Sequence, residues 1–207
     1  MCCSPHTFRG GNISLSSRAK DLGLSGGLTV VTIGLGWDKQ DIPGDGEFDL
    51  DASAIALTKG KCPNDTCFVF YGNLVGLDGC ITHTGDNTTG EGDGDDEQII
   101  IDLTKVPDTI DSIVIPVSIY DAKNRGQHFG MVSQAYIRLL GPNGDTFTRY
   151  DLELNAWGMT SMVFGELYRT PKRFFGRSEW KFRAIGQGYD TGLQGIALDY
   201  GVNVLQG

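Results

Sequence analysis

The stretch FDLDASAIAL, residues 48–57, alternates between apolar and polar side chains over its first seven positions. Its apolar face is formed by Phe48, Leu50, Ala52 and Ala54. Its polar face carries Asp49, Asp51 and Ser53. Successive side chains of a β-strand point to opposite faces, so an alternation of period two is typical of a half-buried strand. The stretch therefore predicts a strand that lies on a core and presents two carboxylates on its other face.

Similar short runs recur along the chain. They are LTVVTIGL (28–35), CFVFY (67–71), QIIIDL (98–103), IDSIVIPVSIY (110–120), AYIRLL (135–140), FTRYDL (147–152) and WKFRAI (180–185). The turns PGDG, LDG and GPNGD separate them, and 30 glycines leave little room for long helices. Residues 127–134 and 160–169 are candidates for single helical turns, and residues 10–27 predict one edge strand and a loop. This pattern predicts an all-β antiparallel β-sandwich with minor helix.

Length and terminal sequence define the expected organisation and compartment. The 207 residues predict a single domain, 1–207, in which residues 1–9 form a flexible N-terminal extension. The sequence shows no apolar signal region and no run of 18 apolar residues, and Cys2 and Cys3 alone are a weak palmitoylation signal. Five cysteines without a secretion signal do not predict a disulfide framework, and Cys67 and Cys80 are expected to be buried. We therefore expect a cytoplasmic protein.

The net charge of −9 comes from the middle of the chain. Residues 62–104 contain nine acidic residues and no Lys or Arg. Six of the nine fall within twelve positions, at Asp86, Glu91, Asp93, Asp95, Asp96 and Glu97. Such crowding destabilises a compact state unless the segment is a solvated loop or a cation binds there. It also argues against nucleic acid as a partner, and against anionic lipid unless a cation bridges the two.

The composition of the acidic segment indicates which cation it would bind. Carboxylates without Cys or His are ligands for Ca²⁺, Mg²⁺ or Mn²⁺, and glycines at 85, 90, 92 and 94 allow the flexible shell that Ca²⁺ prefers. Six carboxylates exceed the needs of one ion, so we expect two Ca²⁺ ions, with Asp49 and Asp51 as further donors. The predicted metal ligands are Asp49, Asp51, Asp86, Asn87, Glu91, Asp93, Asp95, Asp96 and Glu97.

Two known acidic motifs offer alternative interpretations of the same residues. An EF-hand loop from Asp86 to Glu97 would need Gly at its sixth position, where the chain has Glu91, and helical flanks, where the chain has strand-like runs. A phosphatase of the haloacid-dehalogenase type would use Asp49 as nucleophile, Asp51 as general acid, and Asp93 and Asp96 to bind Mg²⁺. That fold requires a parallel sheet with crossover helices, and no Lys or Arg lies between Lys61 and Lys105 to bind the phosphate. The phosphatase stays a less favoured alternative.

Several longer motifs occur together in one order. They are GLGWDKQDIPGDGEFDLDAS, FVFYGNL, DGCITHTGDNTTGEGDGDDEQIIIDL, DAKNRGQHFGMVSQAYIRLL, RYDL, FGELYR and EWKFRAIGQGY. From Gly10 to Val202 the chain resembles the TerD-type tellurium-resistance and stress-protein family. The resemblance implies a β-sandwich that binds Ca²⁺ through acidic loops, a cytoplasmic role in resistance to tellurite and chemical stress, and no established enzyme activity. The chain departs from the family pattern at its first nine residues and in a longer turn at 171–178.

These observations combine into one functional expectation. We expect a non-enzymatic, Ca²⁺-binding module that acts with protein partners of a stress-resistance complex. The alternative is a Ca²⁺-dependent docking module, similar to a C2 domain, in which the ions bridge to an anionic membrane or partner. The basic and aromatic turn PKRFFGR, residues 171–177, is a candidate contact surface for such a partner.

Overall fold

A computed structural model describes residues 13–14, 29–38, 47–132, 134–151, 158–171 and 178–203. The strands are β1 (Ile13–Ser14), β2 (Val30–Gly36), β3 (Leu50–Ala52), β4 (Ala54–Leu57), β5 (Phe68–Val69), β6 (Val75–Gly76), β7 (Ile81–His83), β8 (Glu97–Asp102), β9 (Ser112–Ile119), β10 (Tyr136–Leu140), β11 (Thr146–Asp151), β12 (Ser161–Arg169) and β13 (Trp180–Tyr189). The helices are α1 (Ala122–Arg125) and α2 (Gly192–Asp199), with 3₁₀ turns at Asp65–Cys67, Leu77–Gly79 and Phe129–Met131. The predicted extension at 1–9 and most of the 171–178 turn lie outside the described residues.

The strands form two antiparallel sheets, which confirms the predicted all-β sandwich. One sheet has seven strands in the order β1, β13, β12, β9, β4 and β5, with β3 also pairing with β9. The other has six strands in the order β11, β10, β2, β8, β7 and β6. Every strand pair in the described part of the chain is antiparallel. The parallel sheet that a phosphatase of the haloacid-dehalogenase type requires is therefore not found there.

The stretch at 48–57 forms two strands in one register. Leu50 lies opposite Ile119 in the β3–β9 pair, and Ile55 lies opposite Val114 in the β4–β9 pair, so the ladder continues through Ser53. The interruption at Ser53 lies opposite Pro116, which has no N–H to donate to the ladder. Ser53 still donates its own N–H to the Pro116 carbonyl at 2.9 Å. The four predicted inward residues lie in the core, as the alternation indicated: Phe48, Leu50, Ala52 and Ala54.

The core lies between the two sheets. The inward faces of the central strands contribute Ile33, Leu35, Ile99, Ile115 and Leu167, and none of these side chains has measurable exposure. Burial of such apolar surface is the main favourable contribution to folding. Because both sheets pack on this core, strand ends of one sheet lie close to strand ends of the other, as at the end of β2 and the start of β3.

A second, smaller core covers the outer face of the seven-stranded sheet. Ile196 and Ala197 of α2 pack there with Val114 of β9 and Val163 of β12. Residues 160–169, a candidate helical turn from the sequence, instead contain the whole of β12, which pairs with β9 on one side and β13 on the other. The apolar side chains of β12 are divided between the two cores, with Leu167 in one and Val163 in the other, so a strand accounts for both.

The described helices are short, and none has the length and apolar character needed to cross a bilayer. The other candidate helical turn, at 127–134, contains the 3₁₀ turn Phe129–Met131. Cys62, Cys67 and Cys80 are free thiols, and the last two are buried, as expected from the sequence.

Candidate functional site

The acidic segment forms the loop between β7 and β8, at the edge where β2 ends and β3 begins. Asp96 donates its N–H to the Leu35 carbonyl at 2.8 Å and accepts a hydrogen bond from the Trp37 N–H at 2.9 Å. Glu97 accepts from the Ala52 N–H at 2.7 Å, which joins the six-stranded sheet to the seven-stranded sheet. These backbone contacts bring the loop to the two aspartates of the 48–57 stretch.

Three carboxylates converge at this edge. Asp49, Asp51 and Asp86 each place one carboxylate oxygen within 4.8 Å of the others. Asp49 and Asp51 share the outward face of the strand, because Phe48, Leu50 and Ala52 point into the core. Asp86 approaches from the β7–β8 loop. We call these three residues the acidic cluster.

The carboxylates of the acidic cluster lack hydrogen-bond donors in the described part of the chain. Asp51 is 2% exposed, and burial and neighbouring carboxylates, without any hydrogen bond from the described residues, determine its pKa. Asp49 Oδ1 is buried and also has no hydrogen-bond partner. Arg125 is the nearest basic group to influence Asp49, but it donates to the carbonyls of Tyr120 and Glu47. Buried carboxylates without donors are costly, so this arrangement needs a proton or a cation.

The pKa values of the cluster reflect this crowding. Burial, followed by repulsion from neighbouring carboxylates led by Glu97, raises the pKa of Asp51 to about 8. Burial and the charge of Asp86 raise the pKa of Asp49 to about 6, although the Arg125 guanidinium opposes the shift. Without a cation, the folded protein therefore retains at least one proton at this site near neutral pH.

Glu97 lies beside the cluster but is satisfied by the protein itself. Besides the Ala52 N–H, it accepts from the Asn87 N–H at 3.3 Å, and His83 Nε2 lies 3.4 Å from its Oε2. His83 Nδ1 accepts the Gly85 N–H, so the neutral ring carries its proton on Nε2, toward Glu97. Burial raises the pKa of Glu97, and these donors lower it. Glu97 therefore holds the loop and the strand together.

Asp96 and Asn87 stabilise the loop. Asn87 Nδ2 donates to Asp96 Oδ1 at 3.1 Å, while Asn87 Oδ1 accepts the N–H groups of Thr89 and Gly90, each at 3.1 Å. Burial raises the pKa of Asp96. Both side chains, predicted as metal ligands, are thus engaged in hydrogen bonds within the loop.

Asp95 lies on the outer face of the six-stranded sheet. Its side chain is 1% exposed and pairs with Arg138 Nε at 2.7 Å. Gln98 Nε2 donates to its other oxygen at 3.0 Å, and the Tyr136 hydroxyl lies 3.1 Å from Oδ1. A Cβ on Gly34 would lie 2.2 Å from Asp95 Oδ2, so glycine leaves the space that this carboxylate occupies. We call Asp95 and Arg138 the Asp95 pair.

Glu91 and Asp93, the two remaining acidic residues of the segment, are exposed to solvent. The structure thus divides the nine predicted ligands. Asp49, Asp51 and Asp86 come together, Glu97, Asp96 and Asn87 support them, and Asp95 is paired on another face. Which of them bind a metal stays a prediction.

Sequence reasoning missed the aromatic and basic residues around these carboxylates. Burial, followed by the negative charge of Asp51, raises the pKa of Tyr71. The Tyr71 ring meets the Tyr120 ring edge-on with centroids 5.7 Å apart. Arg138 joins Asp95 across 43 residues of sequence. The alternation in AYIRLL placed Tyr136 and Arg138 on one face, but nothing local indicated that this face meets Asp95.

The donor set of the acidic cluster fits a hard divalent cation. All three converging side chains offer carboxylate oxygens, and none offers sulfur or nitrogen. A divalent ion would neutralise the repulsion and satisfy the oxygens that receive no hydrogen bond. The residues present therefore fit Ca²⁺, and Asp49, Asp51 and Asp86 are those that would hold it.

Comparison with known proteins gives one consistent family. Residues 7–200 match the family model described as the TerD domain. The chain is 49% identical over 197 residues to the tellurium resistance protein TerD of Serratia marcescens, which covers 94% of this chain and 96% of that protein. It is 44% identical over 180 residues to general stress protein 16U of Bacillus subtilis (strain 168), covering 86% of this chain and 90% of that protein.

Solved structures give the same fold at lower identity. SCO6318 from Streptomyces coelicolor A3(2), described as a homologue of telluride resistance protein TerD, matches with a TM-score of 0.67 and 22% identity, over 83% of this chain and 96% of that one. SAV2460, described as a protein of unknown function, matches with a TM-score of 0.68 and 24% identity, over 82% of this chain and 95% of that one. At these identities the likeness concerns the fold alone.

Proposed function

The chain belongs to the TerD family, and we propose that it acts as a Ca²⁺-binding module in the chemical stress response of its cell, without enzyme activity. The names of its relatives support the stress role, since they include tellurium resistance and general stress proteins. The free thiols of Cys62, Cys67 and Cys80 support the cytoplasm as its compartment, because structural disulfides are rare there.

The observation that carries the Ca²⁺ proposal is the acidic cluster. Two of its aspartates are held on one strand face, the third comes from a loop that is tied down by backbone hydrogen bonds, and Asp51 is buried without a donor in the described residues. Asp49, Asp51 and Asp86 would bind the ion, and Glu97 would position Ala52 and Asn87 around them.

Calcium is favoured over magnesium by the type and arrangement of these ligands. Ca²⁺ accepts six to eight oxygens in loose geometry, whereas Mg²⁺ needs a near-ideal octahedron. Asp86 is an exposed loop residue next to Gly85, so it can adjust to the larger ion. The described geometry supports one ion at the cluster, and a second ion, expected from the number of carboxylates, would draw on Asp93 and Glu91.

The direct test is a calorimetric titration with Ca²⁺ and, separately, with Mg²⁺. We expect saturable Ca²⁺ binding that is tighter than Mg²⁺ binding and is lost in Asp51→Asn. Asp65→Asn is the matched control, because Asp65 is exposed and lies outside the cluster. Equal losses in both variants would indicate diffuse attraction of cations instead of coordination. The stoichiometry of the wild-type titration decides between one ion and two.

The ion also offers a way to recruit partners of a stress-resistance complex. Binding a divalent ion would make this edge less negative, which lowers its repulsion toward another acidic surface. A pull-down in Ca²⁺ and in chelator tests this, with Asp51→Asn as the variant. Partners that bind equally in all three conditions would contradict an ion-gated scaffold.

Ca²⁺-dependent docking to an anionic membrane is a second candidate, favoured by apolar exposure near the cluster. Tyr71 and Leu74, between β5 and β6, and Val75, the first residue of β6, are 37%, 40% and 55% exposed. Sedimentation with phosphatidylserine vesicles, in Ca²⁺ and in chelator, separates this candidate from a protein scaffold. Vesicle binding that requires Ca²⁺ and weakens in Val75→Ser would support it, and no sedimentation in Ca²⁺ would exclude it.

A further inference from the structure

A cavity of about 570 Å³ opens beside the acidic cluster, on the outer face of the seven-stranded sheet. Its floor is formed by Asp51 of β3 and Ser118 of β9, which lie opposite each other in register. Thr160, just before β12, and the start of α2 form its far wall. The volume is within the range that proteins use for small-molecule ligands.

The walls of this cavity carry many groups that suit hydroxyls. Carboxylates come from Asp51, Asp121 and Asp190, and side-chain amides come from Asn124 and Gln194. Asn124 Nδ2 donates to Asp121 Oδ1 at 2.7 Å, which leaves the Asn124 oxygen and the second Asp121 oxygen for a ligand. Carboxylates accept hydrogen bonds, and amides both donate and accept, so neighbouring hydroxyls of one molecule would find partners of both kinds. Asp51 contributes a buried carboxylate with no donor among the described residues, which a ligand hydroxyl or an ion bound there would satisfy.

Two tyrosine rings border the cavity. Tyr71 and Tyr120 meet edge-on, and Tyr120 is 48% exposed although its ring is large and apolar. Aromatic faces of this kind offer an apolar contact for the C–H surface of a ligand while their hydroxyls remain in water. The cavity thus combines an apolar wall with a polar floor.

The walls of the cavity carry charges of both signs. Asp121 and Asp190 make one part negative, whereas Lys123 and the N-terminus of α2 make another part positive. The Gly192 N–H at that terminus is already used by Thr160 Oγ1 at 3.0 Å. With Asp51 occupied by Ca²⁺, Asp121 and Asp190 would be largely balanced by Lys123 and the N-terminus of α2, so the cavity would present no concentrated charge that selects a small anion or a further cation. An uncharged ligand needs no such charge.

We propose that this cavity binds a small, uncharged, polyhydroxylated molecule of about the size of a hexose or a linear hexitol. Its hydroxyls hydrogen-bond to the carboxylates and amides, and its C–H surface packs on Tyr120. The inference rests on the proposed function in one respect, because Asp51 serves both the acidic cluster and the cavity floor. Ca²⁺ at the cluster would offset the charge of Asp51, which leaves the cavity walls close to balanced in charge, as an uncharged ligand requires.

The test is a titration followed by amide chemical shifts, with Ca²⁺-loaded protein and the probes D-glucose, D-mannose, D-galactose and sorbitol. We expect at least one probe to give saturable shifts at Tyr71, Asn124 and Gln194, with millimolar affinity. Tyr120→Ala and Asn124→Ala should weaken binding by up to about tenfold each, as loss of one aromatic or hydrogen-bonding contact implies. Tyr120→Phe should retain binding, because it keeps the ring.

Asn143→Ala is the matched control, because Asn143 is exposed in the turn between β10 and β11 and does not line the cavity. Absence of shifts with all four probes would overturn the proposal. So would binding that survives in both alanine variants, or larger shifts of the same amides with putrescine or inorganic phosphate. Ca²⁺ binding is measured on the same sample: if Ca²⁺ binds and no probe does, only this inference fails. If Ca²⁺ does not bind, the proposed function fails, and the titration repeated in chelator decides the cavity alone.

Discussion

The acidic cluster and the Asp95 pair both take a residue from the acidic segment 86–97, but they differ in how the charge of a buried carboxylate is compensated. Asp95 is buried, but Arg138, Gln98 and Tyr136 surround its carboxylate with donors or lie in contact with it. Asp51 is buried to a similar degree, yet its neighbours are other carboxylates. The Asp95 pair is complete within the chain, whereas the acidic cluster lacks a positive charge at its centre.

The difference shows that a dense acidic run is not automatically one site. Within β8, successive side chains lie on opposite faces of the sheet. Glu97 therefore points toward the acidic cluster, whereas Gln98 lies on the other face and contacts Asp95. Each carboxylate therefore meets a different set of neighbours. Those neighbours decide whether an acidic residue binds an ion or stabilises the sheet.

The largest expected difference between the two regions concerns Ca²⁺-dependent stability. Asp51→Asn should abolish the stabilisation by Ca²⁺, which for an ion at a hundredfold excess over its Kd is about 2.7 kcal/mol. For a chain of this size that corresponds to roughly 5–10 °C in Tm. Paired thermal melts in Ca²⁺ and in chelator measure it. An unchanged Ca²⁺ shift in Asp51→Asn would show that the ion binds elsewhere.

The pH dependence of the ion-free protein should give the next largest effect. The groups facing Asp51 are Glu97, Asp49, Asp86 and Tyr71. With a folded pKa of about 8 and an ordinary value of 3.8, Asp51 keeps a proton in the folded state that the unfolded state has lost. The free energy of unfolding therefore falls as pH rises through this interval, by about 2 kcal/mol between about pH 6 and about pH 8.

Urea unfolding in chelator at the two pH values measures this fall. Asp51→Asn should remove most of it, because the asparagine does not titrate. Asp95→Asn should leave it in place, since Asp95 lies outside the cluster. A free energy of unfolding that rises over the same interval would contradict a protonated Asp51 in the ion-free fold.

Breaking the Asp95 pair should give a smaller loss that does not depend on Ca²⁺. Asp95→Asn leaves the half-buried Arg138 without its carboxylate, which we expect to cost about 1–2 kcal/mol both in Ca²⁺ and in chelator. Urea unfolding in the two conditions measures it. Arg149→Gln is the control, because Arg149 and Asp151 form a more exposed pair on β11. A loss of unfolding free energy seen only in Ca²⁺ would show that Asp95 belongs to the ion site.

The smallest effect is expected at Asp93. Its side chain is exposed, and it is not among the three carboxylates that converge. Asp93→Asn should weaken Ca²⁺ binding at the acidic cluster by less than about threefold, through screened long-range attraction alone. Calorimetry at low and high salt checks this, because the small difference should vanish in salt. A loss at the cluster as large as that of Asp51→Asn would make Asp93 a ligand of the same ion.

Much of this could be predicted from local pattern. The alternation at 48–57 placed Phe48 and Leu50 in the core and Asp49 and Asp51 on the other face, as the structure shows. Helix α2 was not predicted, since glycines at 192 and 195 obscure its short apolar face. Strand β12 was ambiguous because Val163 and Leu167 serve two different cores. Helix α2 and strand β12 both depend on the second core on the outer face of the seven-stranded sheet, which the local sequence does not encode.

The candidate site was also predictable only in part. The residue types that favour Ca²⁺ could be read from composition and spacing. The separation of Asp95 from Asp51 could not, because it depends on the register between β2, β8 and β10, which brings Arg138 across the sheet to Asp95. A tertiary contact of this kind leaves no trace in the acidic run itself.

The most direct test of the account is one calorimetric comparison of three proteins titrated with Ca²⁺ near neutral pH: wild type, Asp51→Asn and Asp95→Asn. Both variants remove one buried carboxylate and preserve its size, so they differ only in the region that is changed. We expect wild type and Asp95→Asn to bind Ca²⁺ with similar affinity, and we expect no binding by Asp51→Asn. Equal affinity in all three, or a loss in Asp95→Asn as large as that in Asp51→Asn, would contradict this expectation.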